Sequence, residues 1–200
     1  MTPIPAMILA GGRATRMGGG DKGLRLLNGQ PLIAHVITRL TPQCGPLAIN
    51  ANGDPARLEH LGLPIQPDSI PGQPGPLAGI LAAMDWAAGL GAAAVVTAAA
   101  DTPFLPLDLI PRLQAAGPLA IAASPDDSGQ LRFHPTFGLW PTHLRDDLRR
   151  AIANGTRRPR LWADPHGLQL VHFDSQPLDP FFNINTPDDL ARAERLSSSV

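Results

Sequence analysis

The chain has one cysteine in its 200 residues, Cys44, so it forms no internal disulfide and cannot hold zinc or an iron–sulfur centre through a cysteine cluster. Cys44 itself reads as a small, buried or half-buried residue. An excess of one charge is also missing. The 16 basic and 17 acidic side chains leave a formal net charge of −1, which argues against a protein held mainly by electrostatics to nucleic acid or anionic lipid. There is no long hydrophobic run either. The longest uncharged apolar-looking stretch, between Asp85 and Asp101, is shorter than the roughly 20 residues a membrane span needs, and Gly89 and Gly91 punctuate it. It reads as a helix end, a turn and a buried strand. No basic segment precedes an apolar core at the N-terminus, so no secretory signal is expected and the cytosol is the expected compartment. Repeats and low-complexity blocks are absent apart from a short serine run at 197–199. No Gly-x-Ser-x-Gly elbow occurs, and no two of the six histidines form a His-x-x-x-His pair.

What is there suits one soluble domain. Hydrophobic residues make up 44% and mean hydropathy is near zero. A chain of this length buries roughly 70% of its unfolded surface. Among the 16 basic residues there is a single lysine, Lys22, and it lies inside a glycine-rich loop. Arginine in place of lysine, and only two glutamates (Glu59 and Glu194), fit compositional drift. A compact ammonium that meets a phosphate as a point charge is where a guanidinium would not substitute.

Apolar runs and breakers predict strands at 4–10, 47–50, 64–66, 92–100, 119–123, 133–140 and 168–173. Helical spacing predicts helices at 31–40, 55–61, from 77 through 84, 106–116, 142–154 and from Thr186-Pro-Asp-Asp189 onward, the last with an N-cap hydroxyl and early acids. Residues 71–76 and 126–129 read as loop and turn. Strands alternating with helices predict an α/β, single-domain, three-layer sandwich around a mostly parallel sheet. In such sheets the ligand crevice lies at the carboxyl ends of the strands. The Gly11 loop, Asn50, Asp68 and Asp101 end four of the predicted strands, so all should face one crevice.

The richest segment is Leu9-Ala-Gly-Gly-Arg-Ala-Thr-Arg-Met-Gly-Gly-Gly-Asp-Lys22, a strand running into glycines, two arginines and the lysine. Glycines let backbone N–H groups approach an anion closely, which is the chemistry of a phosphate cradle. It is not a Walker A loop, because Lys22 lies between Asp21 and Gly23. Gly18, Gly20 and Gly23 match G-x-G-x-x-G in form but sit well past the strand with no helix pattern after them, which sets aside a dinucleotide fold. Other features keep two readings. Asp101 is either a metal-binding carboxylate or a turn residue before Thr102-Pro103, Asp68 a nucleotide contact or a loop cap, and Asn50 and Asn52 site residues or closers of their own turn. The run Arg157-Arg158-Pro159-Arg160, after Arg149-Arg150 and beside Trp162, is a solvated helix end, a dock for a phosphorylated second substrate, or a nucleic-acid patch that the overall acidity disfavours.

The pattern LAGGR-x-x-RMGG-x-DK resembles the signature of the molybdenum cofactor guanylyltransferase family, the MobA-like nucleotidyltransferases. Gly75-Pro-Leu-Ala-Gly79, Asp101-Thr-Pro103, His134-Pro135 and Asn183-Ile-Asn-Thr-Pro187 fit the same family, so the resemblance spans nearly the whole chain. It implies a Rossmann-like nucleotidyltransferase fold as one domain, 1–200, its N-terminal half binding nucleotide and its C-terminal half molybdopterin. The implied activity is transfer of GMP from GTP to Mo-molybdopterin, giving the guanine dinucleotide and pyrophosphate. Leu9, Ala10, Gly11 and Gly12 would contact the nucleotide through the main chain, and Arg16 would hold the β- and γ-phosphates. Lys22 would neutralise the α-phosphate, Asn50 and Asp68 would complete the nucleotide site, and Asp101 would bind Mg²⁺. Asn183 and Asn185, with His134, would lie on the side of the second substrate. Cofactor-donor proteins and molybdoenzyme chaperones are the protein partners such a role allows; nucleic acid and membrane are not expected. Cytidylyl transfer to the same cofactor, sugar-1-phosphate nucleotidyl transfer and a non-catalytic cofactor carrier compete, and spacing alone does not choose the base.

Overall fold

In chain order the polypeptide forms strand β1 (Ala6–Leu9), a hairpin of β2 (Leu26–Leu27) and β3 (Gln30–Pro31), helix α1 (Leu32–Leu40), β4 (Leu47–Asn50) and β5 (Ile65–Gln66). Helix α2 (Pro76–Gly89), β6 (Ala94–Ala99), α3 (Leu109–Ala116), β7 (Ala120–Pro125) and β8 (Leu131–Pro141) follow. The chain then closes with α4 (Arg145–Ala153), α5 (Pro159–Ala163), β9 (Gln169–His172) and α6 (Pro187–Ser197). This computed structural model describes residues 3–11, 21–70, 72, 75–126, 128–176 and 178–197.

Seven strands make one sheet in the order β5-β4-β1-β6-β8-β7-β9. All neighbours pair in parallel except β8, which runs against both β6 and β7. Side chains along β1 alternate between two cores, as strand geometry requires: Ala6 and Ile8 face one, Met7 the other. Ile33, Val36 and Leu40 of α1 and Leu109, Ile110 and Leu113 of α3 fill the first core. Leu77, Ile80, Leu81 and Met84 of α2, Leu148 and Ile152 of α4 and Trp162 of α5 fill the second. The expected three-layer sandwich is therefore what forms. Each fully buried side chain of this size is worth about 1.5–3 kcal/mol, so the two cores hold the sheet rigid beneath the loops at its edge. The one polar pair at its centre is satisfied, the Trp140 indole donating to the Thr97 hydroxyl at 2.8 Å.

A third, smaller cluster matters for the site. Leu27 and Leu32, at the hairpin and the start of α1, pack with Ile184 and with Ala193 of α6, Phe104 and Phe182 lying against them. The hairpin was not expected, although its Asn28-Gly29 turn, with φ of 50° and 80°, carries the usual signal for a tight two-residue connection. Helix α5, opened by Pro159, was also not expected. The helix predicted over 55–61 is instead two 3₁₀ turns, Pro55–Arg57 and Glu59–Leu61. A segment that short cannot offset the cost of helix nucleation and takes the tighter form. The helix predicted from 106 starts at Leu109, after Asp108 at its N-cap. Between β7 and β8 the register breaks: Ile121 faces Gly138, but Ala122 faces His134, so residues 135–137 bulge out. Pro135, which cannot donate to a ladder, sits in that bulge.

Candidate active site

Parallel pairing sets Leu9 level with Asn50 on one side and Ala99 on the other, so three strands end together. The Leu9 carbonyl accepts from Ala100 N–H at 3.1 Å, and Ala10 N–H donates to the Asn50 carbonyl at 2.8 Å. Both groups are thereby occupied by neighbouring strands. The Ala10 carbonyl and the Gly11 N–H are where the chain leaves the sheet. Gly12 and Arg16 lie outside the described residues.

The chain re-enters at Asp21, and Lys22–Leu24 forms a 3₁₀ turn pressed against the end of β6. Gly23 makes this possible, since a Cβ there would lie 3.0 Å from that of Ala100. Lys22 then reaches across the crevice. Its Nζ donates to Asp101 Oδ2, to Asn185 Oδ1, and to Asn183 Oδ1 at 2.9 Å. An ammonium has three protons, and each meets an oxygen. Side-chain exposure is 13% for Lys22 and 15% for Asp101, so the two charges compensate where neither would be well hydrated alone. The Ile184 N–H also donates to the Asp101 carbonyl at 3.0 Å, which fixes the 183–185 loop to the end of β6 by main chain as well.

A second group sits at the ends of β4 and β5, across β1 from the first. Asn50 is buried at the end of β4, and its amide donates to Asp68 Oδ1 at 3.0 Å and to the Gln66 carbonyl at 3.1 Å. Asn52 donates to Asp68 Oδ2 at 2.8 Å and accepts the Asp68 N–H at 2.9 Å. Asn50 and Asn52 thus organise Asp68 rather than close a turn of their own. Asp21 pairs with Arg57, whose guanidinium also donates to the Asn52 carbonyl at 2.7 Å, tying the end of the glycine-rich loop to this group. Behind it, Ser69 donates to Asp85 Oδ2 at 2.6 Å, and Arg149 grips both oxygens of Asp85 at 2.8 Å.

Gly79 was quoted in a motif but given no role, and the structure supplies one. In the first turns of α2 it faces the Asn50 carboxamide, where a Cβ would come within 2.7 Å of Oδ1 and 3.1 Å of the Leu9 side chain. Asn52, read as a site residue or a closer of its own turn, is a support for Asp68, and Arg57 and Asp85 were missed as supports because their partners lie on other elements. Arginines of this run have partners within the fold, some near in sequence and some distant. Arg149 holds Asp85, Arg150 pairs with Asp147, Arg160 lies near Asp164 and over the Phe133 ring, and Arg157 donates to the Ile152 carbonyl.

His134 does not join the Lys22 group. Its Nε2 is 2.7 Å from Ser124 Oγ, and its ring stacks on Phe181 at 4.4 Å. Burial, with Arg132 nearby, lowers its pKa to about 4 against the pull of Asp179, so the ring is neutral at pH 7. Burial also raises the Cys44 thiol pKa, in keeping with a half-buried, inert residue.

For a divalent cation the available ligand is Asp101. Its Oδ1 is 3.5 Å from the Thr102 hydroxyl, too long for a strong bond, and so keeps lone pairs for a cation. Among the described residues no group of three or more His, Cys, Asp or Glu gathers to form a cage. One carboxylate with phosphate oxygens from a ligand is the arrangement Mg²⁺ accepts.

Residues 6–168 match the model of the MobA-like NTP transferase domain. The chain is 50% identical to a molybdenum cofactor guanylyltransferase of Bradyrhizobium sp. (strain ORS 278), over 98% of this chain and 94% of that one. It is 49% identical to one of Rhodopseudomonas palustris (strain BisB5), over 96% and 93%. Its fold is similar to the crystal structure of molybdopterin-guanine dinucleotide biosynthesis protein A from Archaeoglobus fulgidus, with a TM-score of 0.74, 27% identity, and 98% and 100% of the two chains covered.

Proposed function

The chain belongs to the MobA-like NTP transferase family, and we propose that it works as a molybdenum cofactor guanylyltransferase, moving GMP from GTP to Mo-molybdopterin. The terminal phosphate of molybdopterin attacks the α-phosphorus of GTP. The bond to the β-phosphate oxygen breaks, and pyrophosphate leaves. The nucleophile is ionised at neutral pH, so alignment and charge neutralisation carry the step, as in phosphoryl transfer generally.

The observation that carries this reading is the meeting of Lys22 and Asp101 at the carboxyl edge of the sheet. Lys22 meets the charge that builds at the α-phosphate, with Arg16 on the terminal phosphates. The Ala10 carbonyl, Gly11 and Gly12 offer main-chain groups to the nucleotide from where Leu9 ends the strand, and Asn50 with Asp68 completes its site. Asp101 would hold Mg²⁺, which when bound screens the phosphate charge. Asn183 and Asn185 mark the seam at which the second substrate enters. The chain acts as one domain over 1–200, its N-terminal half taking the nucleotide and its C-terminal half the pterin. Mg²⁺ as the ion, the cytosol as the compartment, and cofactor-donor proteins and molybdoenzyme chaperones as contacts complete the proposal. No helix among the described residues is long and apolar enough to cross a membrane.

Pyrophosphate release from purified protein with Mg²⁺ and Mo-molybdopterin, compared for GTP, CTP and ATP, tests the reading. Release with GTP alone is expected. Preference for CTP would move the protein to cytidylyl transfer, and release with none would leave sugar phosphates or a carrier role.

A further inference from the structure

The mechanism above makes no use of a part-buried polar chain beside the Asn183 loop. Ser124 is fully buried on β7, yet its hydroxyl lies 2.7 Å from His134 Nε2 and 3.2 Å from Asp179 Oδ1. Counting protons orders the chain. An ionised Asp179 only accepts, so the serine hydroxyl donates to it, and the serine oxygen takes the N–H of a neutral His134. This is the reverse of a hydrolytic triad: the serine is enclosed between the other two, its proton goes to the carboxylate, and His134 donates to it rather than acting as its base. The same Asp179 Oδ1 accepts the Phe181 N–H at 3.0 Å. The Phe181 ring lies on His134, with the rings of Phe137 and Phe173 at 5.0 and 5.3 Å.

Two and four residues beyond Phe181 stand Asn183 and Asn185. Their far side is fixed too. Ile184 is wholly buried in the small third core, and Asp189 accepts the N–H groups of Asn185 and Thr186 at 2.9 Å. The loop is bracketed at both ends, and its two carboxamide oxygens meet Lys22. We propose that Ser124, His134 and Asp179 are positioning residues that hold the 183–185 loop on Lys22, so that an element of the C-terminal half aims the ammonium of the glycine-rich loop. This rests on the reading of Lys22 as the group that meets the α-phosphate. A buried polar chain is costly unless fully satisfied, and a satisfied one orders what it touches.

The sequence provides a direct probe. Lys22 is the chain's only lysine, so an amine-acylating reagent modifies Lys22 and the terminal amine alone, and peptide mass spectrometry separates the two. Labelling of Lys22 is compared in the wild type, Ser124→Ala, His134→Phe, His134→Gln and Asn185→Ala. His134→Phe keeps the ring stack and removes the donor; His134→Gln returns an N–H near Nε2. Ser124→Ala and His134→Phe should each speed Lys22 labelling by about fivefold, the population change one neutral hydrogen bond commands. His134→Gln should return it toward wild type. The double variant Ser124→Ala/Asn185→Ala should label no faster than Asn185→Ala, because both act through one loop. In turnover, Ser124→Ala should lower kcat for pyrophosphate release and leave the KM for GTP unchanged. Unchanged labelling in both anchor variants while Asn185→Ala speeds it, or multiplying effects in the double variant, would overturn the proposal. Two separately made anchor variants keep the test open if one does not fold. Labelling needs no nucleotide, so silence of the wild-type enzyme toward GTP would sink the functional reading and leave this result standing or falling by itself.

Discussion

The two halves of the sheet position their side chains by different means. In the parallel half, β4, β1 and β6 end at one edge, and backbone pairing alone sets Asn50 and the segment leading to Asp101 level on either side of Leu9. Around the reversed strand β8 the register breaks, and side chains add to the positioning: Ser124, His134, Asp179 and the Phe181 stack brace a loop that the end of β6 holds through the Ile184–Asp101 main-chain bond. Main-chain ladders tolerate substitution of the side chains they carry, whereas a chain of side-chain bonds fails when one member is lost. The parallel half should therefore respond to mutation with local chemical losses. The reversed half should respond with loss of order passed on to Lys22.

The largest effect tests the point where the halves meet. Lys22→Ala should leave the chain folded but lower its melting temperature, since Asp101 loses the charge that compensates it, and should lower pyrophosphate release by about 10²–10³, the scale of losing one charge-stabilising group in a transition state. Lys22→Arg should not restore it, since a planar fork cannot occupy the place of an ammonium with three converging acceptors. A wild-type rate in Lys22→Ala would remove the lysine from the transfer. Asp101→Asn comes next, with an expected loss of about 10² and disappearance of the dependence on added divalent ion. Retained metal dependence in that variant would place the cation elsewhere.

His134 probes the reversed half by itself. Its pKa is about 4 in the folded chain against an ordinary 6.5, mainly through burial. Between those values the unfolded chain binds a proton that the folded chain refuses. Stability is then fully present above pH 6.5 and is lost as pH falls toward 4. The shift corresponds to about 2–3 kcal/mol over that window. Urea melts from pH 7.5 to 4.5 should show this slope in the wild type and a flatter one in His134→Gln. Equal slopes would mean the ring does not carry the acid sensitivity.

The parallel half was legible because its signals are local. The strand at 47–50 was read with the bounds it has, since an apolar run stops at a polar residue. The convergence of Asn50, Asp68 and Asp101 followed from parallel topology before any contact was known. The contacts of the reversed half were not legible. Asn183 and Asn185 lie 161 and 163 positions from Lys22, and spacing says nothing across such a distance. Ser124 is one hydroxyl at the end of an apolar run, and Asp179 one acid in a loop. Each looks ordinary until the bulge in β8 turns His134 toward both. The arginine run could be read as a dock only because Asp85, the partner of Arg149, belongs to a helix 64 positions away.

The smallest expected effect asks whether the parallel half is as rigid as its ladders suggest. Gly79→Ala replaces a helix-interior glycine, a change worth about 0.5–1 kcal/mol of stability where there is room. Here a Cβ would stand 2.7 Å from Asn50 Oδ1. Asn50 can yield only by straining the bonds that hold it, because its backbone is in β4 and its amide is held by Asp68 and the Gln66 carbonyl. The helix gain and the steric loss should nearly cancel in the melting temperature. The displaced carboxamide should raise the KM for GTP by about tenfold, about 1.4 kcal/mol, while kcat stays close to wild type. That is the opposite of the split expected for Ser124→Ala, where kcat falls and KM holds. If Gly79→Ala instead lowered kcat alone, the strand ends would be coupled to Lys22 as tightly as the loop is, and the two halves would form one positioning system.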